Sequence, residues 1–333
     1  MATLAAQLRD ISLADARKAY EELKTVPCTN PGLSRIGLKA LDYLFLKHRI
    51  KAKTRSHISF SNAMKNADIR AKLNELAVRY KKTASMAFLS EAEKAKLRYS
   101  TFQLYYGTIN QFKPTVARWV YCTLKPKVGI LDFSAGWGGR CLGAMSMGIP
   151  YVGIDANKGL EKTYREMVRT YEPDADVTLL FQPSETVEFG KYKYDLVFTS
   201  PPYFMIEEYE KMPEYGSKDA FLQKFFRPVV KNAWTHLAPG GHMALNMPHE
   251  MYMAIRDLLP PVKRRLVLPL SNRHPTNATR GRKIGTEKER HELIYVWQKG
   301  TRGKEGKTKR VGKEGKRGTA IATRKTKKGS HEI

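Results

Sequence analysis

The stretch ILDFSAGWGGRCLGA, residues 130–144, decides the fold of this chain. It opens with a short apolar run typical of a buried strand, and Gly136, Gly138 and Gly139 follow almost at once. Glycine permits a tight turn and the close approach of a ligand to the backbone. Helix-forming residues come next, so the stretch predicts the first strand, turn and helix of an open α/β sheet.

Apolar runs of strand length recur through the rest of the chain and alternate with helical stretches, which favours a parallel sheet with helices on both faces. The last two runs have no helix-length apolar segment between them and are expected to pair as an antiparallel hairpin. The predicted strands are 127–133, 151–155, 177–182, 194–200, 242–247, 264–270 and 291–299.

The glycine cluster and the next strand end indicate a nucleoside site. Asp155 ends the second predicted strand, where a carboxylate can accept hydrogen bonds from ribose hydroxyls. A dinucleotide fingerprint would require a glycine at the position of Cys141. The missing glycine argues for a nucleoside cofactor without phosphates, and S-adenosylmethionine fits that description.

The stretch YDLVFTSPPYF, residues 194–204, is an apolar strand that stops at Pro201 and Pro202. Proline has no backbone N–H and also restricts the residue before it. Ser200 and Pro201 are therefore expected to be held rigidly just beyond the carboxyl end of a buried strand, where open α/β sheets bind their ligands. A stiff turn closed by packed aromatic rings is the alternative interpretation.

Three motifs in this order, DFSAGWGG (132–139), GIDAN (153–157) and SPPY (200–203), resemble the amino-methyltransferases, which methylate the exocyclic nitrogen of adenine or cytosine in DNA. A Lys-Pro pair opening a helix before the first strand (111–126) and a Pro-Gly-Gly turn before the fifth (236–247) add to the likeness. The resemblance covers about residues 105–299. It implies a seven-stranded Rossmann-like methyltransferase sheet.

The resemblance also implies roles for individual residues. Ser200, Pro201, Pro202 and Tyr203 would hold the target amine, with Phe204 walling the base pocket. The residues expected to bind S-adenosylmethionine are Lys113, Asp132, Ser134, Gly136, Gly138, Asp155 and Gln182. Two positions depart from the pattern of the family, because Trp137 is bulky between glycines and Gln182 replaces a common acid.

Composition divides the chain into three zones. Residues 1–100 contain basic amphipathic helical stretches and are expected to form a helical domain that assists substrate binding, and residues 101–299 form the catalytic domain. Residues 300–333 are rich in Gly, Lys and Thr, with almost no large apolar side chains, and are expected to stay disordered. The hydrophobic content of 42% is enough for a sizeable core.

A net charge of +27 favours nucleic acid as the partner. The long segment 271–290, between the last two predicted strands, contributes Arg273, Arg280, Arg282 and Lys283 as candidate substrate contacts. Solubility, or a nuclear address on the tail, would explain the charge equally well. A protein partner or a second copy of the chain is left open.

Cysteine usage predicts neither a disulfide framework nor a zinc site, since Cys28, Cys122 and Cys141 are odd in number and unclustered. Pro27-Cys28 matches the dipeptide of cytosine carbon-5 methylases but precedes the glycine cluster, whereas in that family it follows. No metal is expected. Without a transmembrane run or signal peptide, the chain is expected to be soluble and intracellular, associated with a nucleus or nucleoid.

These observations predict methylation of an exocyclic amino group in DNA with S-adenosylmethionine as donor. Serine at position 200 slightly favours the cytosine 4-amino group over the adenine 6-amino group. An RNA adenine amino-methyltransferase is the first alternative, because the same motif chemistry serves RNA. The second alternative is a catalytically inactive nucleic-acid-binding protein that has kept the fold.

Overall fold

Seven strands form one sheet, and each lies within a run that the sequence predicts as a strand. The structure is a computed structural model that describes residues 3–54, 56–81, 85–202, 215–269 and 291–301. The strands are β1 (Ile130–Asp132), β2 (Tyr151–Ile154), β3 (Val177–Leu180), β4 (Leu196–Thr199), β5 (His242–Asn246), β6 (Arg264–Pro269) and β7 (His291–Gln298).

The strand order across the sheet is β3-β2-β1-β4-β5-β7-β6. Strands β1 to β5 are parallel, and β7 is antiparallel to both β5 and β6, which confirms the predicted hairpin. This is the sheet of the Rossmann-like methyltransferase fold. The chain order reverses at β1, between β2 and β4, and open α/β sheets bind ligands outside the carboxyl ends of their strands at such a point. We call that side the carboxyl edge and the opposite side the amino edge.

Six helices begin within residues 1–100 in the described part of the chain, in agreement with the predicted helical zone. They are α1 (Leu4–Leu8), α2 (Leu13–Lys24), α3 (Leu38–Arg49), α4 (Phe60–Lys65), α5 (Ala67–Lys81) and α6 (Glu91–Tyr105). Capping boxes of Ser12 with Asp15 and of Ser90 with Glu93 are formed at the starts of α2 and α6. Each box satisfies backbone N–H groups that a helix start leaves without a partner.

The remaining helices cover the two faces of the sheet. They are α7 (Pro114–Leu124), α8 (Gly139–Met145), α9 (Glu161–Tyr171), α10 (Lys218–Phe221), α11 (Arg227–His236) and α12 (His249–Met253), with a π-helical turn, Leu222–Phe226, joining α10 to α11. Alternate residues of β4 enter different cores: Phe198 packs on the side of α7 and α8, and Val197 on the side of α11. No helix in the described parts of the chain is long and apolar enough to span a bilayer.

The first helices share a core with the sheet. Helix α3 packs against α9, where the Tyr171 hydroxyl donates to the Ala40 carbonyl at 2.8 Å and the rings of Phe45 and Tyr164 meet edge to face at 5.2 Å. Both rings are buried within the cluster that includes Phe198 of β4. The N-terminal helices therefore support the same side of the sheet as α7 and α8.

A disulfide joins Cys28 to Cys122, with 5.6 Å between their Cα atoms. The expectation that the cysteines are unpaired is wrong here, because it came from their sequence spacing, which does not reveal that residues 24–37 run beside α7. We call residues 24–37 the strap. The Arg118 guanidinium of α7 also donates to the strap carbonyls of Lys24 and Val26. Bonded in this way, Cys28 has no thiolate to offer, which argues further against carbon-5 methylation.

Candidate cofactor and substrate site

Two other segments, the one containing Phe112 and helix α3, pack against the glycine loop between β1 and α8. A Cβ atom on Gly139 would lie 2.0 Å from the Phe112 carbonyl oxygen, and one on Gly138 would lie 3.0 Å from the Phe45 ring. Gly138 also has a φ of +78°, which L side chains rarely adopt. Glycine at these two positions therefore serves the packing of the loop on residue 112 and on α3.

Among the residues that the structure describes, Gly136 differs from its neighbours because little lies beside it. Its φ is +63°, and within those residues a Cβ atom there would meet only the Ser134 carbonyl oxygen, at 3.8 Å. A ligand can therefore approach the backbone at Gly136, whereas the protein itself occupies the space beside Gly138 and Gly139. This open position at the carboxyl edge is where the loop can accommodate a cofactor.

Asp132, at the end of β1, is entirely buried and bound by protein groups. Its carboxylate accepts from Arg140 Nε at 2.7 Å and from the Tyr151 hydroxyl at 2.5 Å. The Arg140 guanidinium also donates to the Ser134 carbonyl. Asp132 and Ser134 are thus linked through Arg140, which ties the glycine loop to the end of β1.

Arg140 is not among the predicted site residues, although its position in the sequence indicates an ion pair. It lies in the first turn of α8, eight positions after an acidic strand end, and a buried cation requires a partner. Its guanidinium lies 5.0 Å from the centre of the Phe112 ring and is 3% exposed as a residue. Arg140 therefore joins β1, the glycine loop and the segment before α7.

Asp155 follows β2 and is half-buried beside the glycine loop. Its Oδ2 accepts the Gly136 N–H at 2.8 Å and its Oδ1 accepts the Asn157 N–H at 2.9 Å. Burial raises the pKa of Asp155 to about 6, against the opposing effect of these two hydrogen bonds. Each oxygen keeps lone-pair capacity, so the carboxylate can accept further hydrogen bonds from a diol.

The loop after β3 contains the residues predicted to border an adenine ring. Gln182 is exposed and donates from Nε2 to Thr186 Oγ1 at 3.2 Å, and the Phe181 ring lies 5.8 Å from that of Tyr164. The Ser184 hydroxyl, which was not predicted, donates to the Phe133 carbonyl at 2.6 Å. This bond ties the loop after β3 to the residue following β1.

Lys113 caps the start of α7, and Pro114 occupies the first helical position, as predicted. Lys113 is half-buried, and burial is the main reason that its pKa is lowered. Arg35 of the strap lowers it further and Glu292 of β7 opposes the change. Burial in turn raises the pKa of Glu292. Arg35 and Glu292 come from segments distant in the sequence, and no local pattern marks either.

Strand β4 ends at Thr199, and Ser200, Pro201 and Pro202 follow at the carboxyl edge. Pro201 is buried, whereas Ser200 and Pro202 are half-buried. Because β4 pairs directly with β1, the Ser-Pro-Pro segment and the glycine loop leave the sheet from adjacent strands. The other predicted substrate residues lie outside the described residues: Tyr203, Phe204, Arg273, Arg280, Arg282 and Lys283.

Asn246 ends β5, the strand next to β4, and is 2% exposed. Its Nδ2 donates to the Leu293 carbonyl of β7 at 3.2 Å. Side chains alternate along a strand, so Asn246 shares a face with Ala244, and Glu292 shares a face with Ile294. Ala244 and Ile294 belong to the core on the side of α7. Asn246 and Glu292 therefore extend that face towards the carboxyl edge.

No family model matches the chain, and no curated protein is similar to it. Solved structures are similar to it at low identity. TrmN from Thermus thermophilus is 13% identical, with a TM-score of 0.40 over 74% of this chain and 80% of its own. An S-adenosylmethionine-dependent O-methyltransferase from Thermotoga maritima is 15% identical, with a TM-score of 0.37 over 62% and 72%.

A third structure, the Pyrococcus abyssi tRNA (uracil-54, C5)-methyltransferase in complex with S-adenosyl-L-homocysteine, is 15% identical. Its TM-score is 0.37, over 55% of this chain and 37% of its own. The order and direction of the seven strands, rather than these similarities, assign the fold.

The arrangement at the carboxyl edge supports two adjacent binding functions. Gly136 and Asp155 bring a backbone position and an oriented carboxylate to this edge, and Ser200 and Pro201 follow the end of the neighbouring strand. Within the described residues, no group of three His, Cys, Asp or Glu side chains could hold a metal ion.

Proposed function

We propose that this protein transfers a methyl group from S-adenosylmethionine to an exocyclic amino group of a nucleobase in nucleic acid. The observation that carries the proposal is the adjacency of two features at the carboxyl edge. The Ser-Pro-Pro segment leaves β4 beside the glycine loop of β1, and the Asp155 carboxylate is bound to that loop. A donor and an acceptor base held by these neighbouring features would meet at the edge.

The residues around Gly136 fit a nucleoside cofactor. The space that a Cβ atom would fill at Gly136 is open, and the two Asp155 oxygens are oriented by backbone N–H groups. Asp155 would bind the ribose hydroxyls, and the Lys113 ammonium would bind the amino-acid carboxylate. Gln182 and Phe181 would border the adenine ring. When bound, S-adenosylmethionine supplies an electrophilic sulfonium methyl group.

Ser200 and Pro201 would prepare the target amine. Its lone pair is delocalised into the base ring, which makes the nitrogen a poor nucleophile. Two acceptors aimed at the N–H hydrogens, Ser200 Oγ and the Pro201 carbonyl, favour a pyramidal nitrogen whose lone pair is free to attack. Pro201 and Pro202 fix these acceptors beforehand, so little reorganisation is needed during the reaction. Tyr203 would stack on the base.

DNA is the polymer that the Ser-Pro-Pro-Tyr resemblance implies, and serine at position 200 slightly favours cytosine within it. RNA is the second candidate. The basic Gly-Lys tail suits it equally well, because residues 299–333 carry 13 basic and 3 acidic side chains and such a tail attracts the phosphates of either polymer. In either polymer the target base must leave the base stack, or be unpaired already, to reach the carboxyl edge of the sheet.

The test is incubation of the full chain with methyl-labelled S-adenosylmethionine and, in parallel, duplex DNA, single-stranded DNA and RNA. We expect label in one of these polymers, carried by an exocyclic amino nitrogen. Label in RNA alone would select the second candidate. Calorimetry with S-adenosylmethionine separates an enzyme from a binding protein that has kept the fold, because failure to bind the cofactor would contradict the proposal.

A further inference from the structure

The end of the strap, residues 30–37, is a turn held by its own hydrogen bonds. The Ser34 N–H donates to the Pro31 carbonyl at 2.9 Å, and the Leu38 N–H donates to the Arg35 carbonyl at 3.1 Å. The disulfide at Cys28 fixes the strap shortly before the turn. The side chains of the turn are therefore presented on a restrained backbone.

Two large apolar side chains of this turn face solvent, with a cation between them. Leu33 is 52% exposed and Ile36 is 40% exposed, and Arg35 is exposed as well. A packed turn could have buried such residues. Single exposed apolar side chains are common on protein surfaces, so the feature that indicates a contact surface is the placement of these two on either side of Arg35 on a restrained turn.

The turn lies at the rim of the candidate site. A Cβ atom on Gly37 would lie 3.3 Å from Pro114 Cγ, at the start of α7. Helix α7 leads into β1 at the amino edge, so its first turn, with Lys113, is at the carboxyl edge. On the other side, Asn30 Nδ2 donates to the Val267 carbonyl near the end of β6, at 3.2 Å.

We propose that Leu33 and Ile36 form an apolar wedge that enters the base stack of a duplex beside the extruded target base, while Arg35 binds the adjacent phosphate. This proposal rests on the proposed function, and in it the wedge separates the target base from the bases stacked against it. Apolar side chains that enter base steps are a recurring means of unstacking DNA, and extrusion of a base leaves a gap that such side chains can fill.

The charges around Leu33 and Ile36 favour a nucleic acid, rather than a second copy of the chain, as the molecule that binds there. Arg35 and Lys113 lie near each other with Glu292 as the acid beside the lysine, so the rim of the wedge carries two cations and one carboxyl group. A symmetric dimer through this patch would bring the same cations together. A phosphate backbone would instead neutralise them, in a chain whose net charge is +27.

The first test measures binding of the full chain to two duplexes by fluorescence anisotropy, one intact and one with a single abasic site. The wild-type chain should prefer the abasic duplex by about tenfold, because insertion there displaces no base. The double variant Leu33→Ala/Ile36→Ala should lose this preference. The control is Val128→Ala, which removes a side chain 44% exposed at the amino edge and should keep it.

The second test separates the phosphate contact from the wedge. Arg35→Gln should reduce the slope of log affinity against log salt by about 0.9, the change expected for one phosphate contact, and should keep the abasic preference. Arg169→Gln, which changes an exposed arginine at the end of α9 and so at the amino edge, is the matched control and should keep the slope.

Several results would overturn the wedge. One is equal affinity of the wild-type chain for both duplexes, and another is an abasic preference that survives in the double variant. A third is a change from dimer to monomer in the double variant, which would mean that the patch binds a second copy of the chain. A wild-type chain that methylates only single strands would also overturn it and leave the proposed function standing. A chain that methylates no polymer but shows the abasic preference would refute the proposed function alone.

Discussion

The carboxylate of Asp155 accepts the backbone N–H of Gly136, with 2.8 Å between Oδ2 and N. The bond crosses from the end of β2 to the glycine loop after β1, at the loop glycine that has the fewest described atoms beside it. A second backbone donor, the Asn157 N–H, holds the other oxygen. Both oxygens are thus oriented before any ligand arrives.

Replacing Asp155 by alanine should weaken S-adenosylmethionine binding by about ten- to a hundredfold, the usual effect of losing hydrogen bonds to a charged acceptor. The measurement is calorimetric titration of the full chain. Asp174→Ala, at an exposed position before β3, is the control and should bind as the wild-type chain does. Equal affinity of Asp155→Ala and the control would remove Asp155 from the cofactor site.

The affinity for S-adenosylmethionine should depend on pH through Asp155, whose pKa burial raises to about 6. Only the carboxylate can accept from both ribose hydroxyls, so affinity should rise as the pH increases through about 6. The free energy of unfolding should change in the opposite direction. A carboxyl with a raised pKa binds its proton more tightly in the folded chain than in the unfolded chain. Its contribution to the free energy of unfolding is therefore present at low pH and is lost as the pH rises through about 6.

Calorimetry and thermal unfolding between about pH 4 and 8 check both trends, since the window runs from the usual aspartate pKa past the raised one. The variant Asp155→Asn should show neither trend. A pH profile of affinity that is the same in the variant and the wild-type chain would mean that another group titrates.

Gly136→Ala should abolish cofactor binding at a small cost in stability. The expected cost is about 1 to 2 kcal/mol, from an L residue held at positive φ. Gly148→Ala is a matched control, because Gly148 has a φ of +62° and nothing within 4 Å of its added Cβ. Urea unfolding should show similar losses in both variants, while calorimetry should show lost binding in Gly136→Ala alone. Retained binding in Gly136→Ala would mean that the cofactor lies elsewhere.

Breaking the buried pair of Asp132 and Arg140 should destabilise the chain strongly. Arg140→Met leaves a carboxylate inside the protein without its cation, at a cost of about 3 to 5 kcal/mol. Arg165→Met removes an exposed pair with Glu161 and should cost less than about 1 kcal/mol. The double variant Asp132→Asn/Arg140→Met should recover part of the loss. Urea unfolding that gives Arg140→Met the same small loss as Arg165→Met would contradict this role.

The sequence predicts which segments form the seven strands because those signals are local. Runs such as 194–200 are apolar and end at prolines, and Lys113-Pro114 marks a helix start that the structure confirms. The likeness of three ordered motifs to one family then supplies the arrangement of the strands. Asp155 could be placed beside the glycine loop for the same reason, since it ends the strand next to β1.

The remaining features depend on contacts between distant segments, which local patterns do not encode. Cys28 and Cys122 are separated by 94 residues, and only the path of the strap along α7 brings them together. The burial of Asp132 against Arg140, and the positions of Arg35 and Glu292 near Lys113, likewise follow from packing. These contacts explain why a motif residue such as Asp132 can be bound inside the protein.

The central claim is that Ser200 and its prolines hold an exocyclic amine beside a cofactor held by Asp155. Nucleoside mass spectrometry of the methylated polymer, with wild-type and Ser200→Ala chains at saturating cofactor, tests it most directly. We predict a methyl group on an exocyclic nitrogen, formed about a hundredfold more slowly by the variant, with cofactor affinity unchanged within about twofold. A methyl group on a ring carbon or a ribose oxygen, or an undiminished rate in Ser200→Ala, would contradict the account.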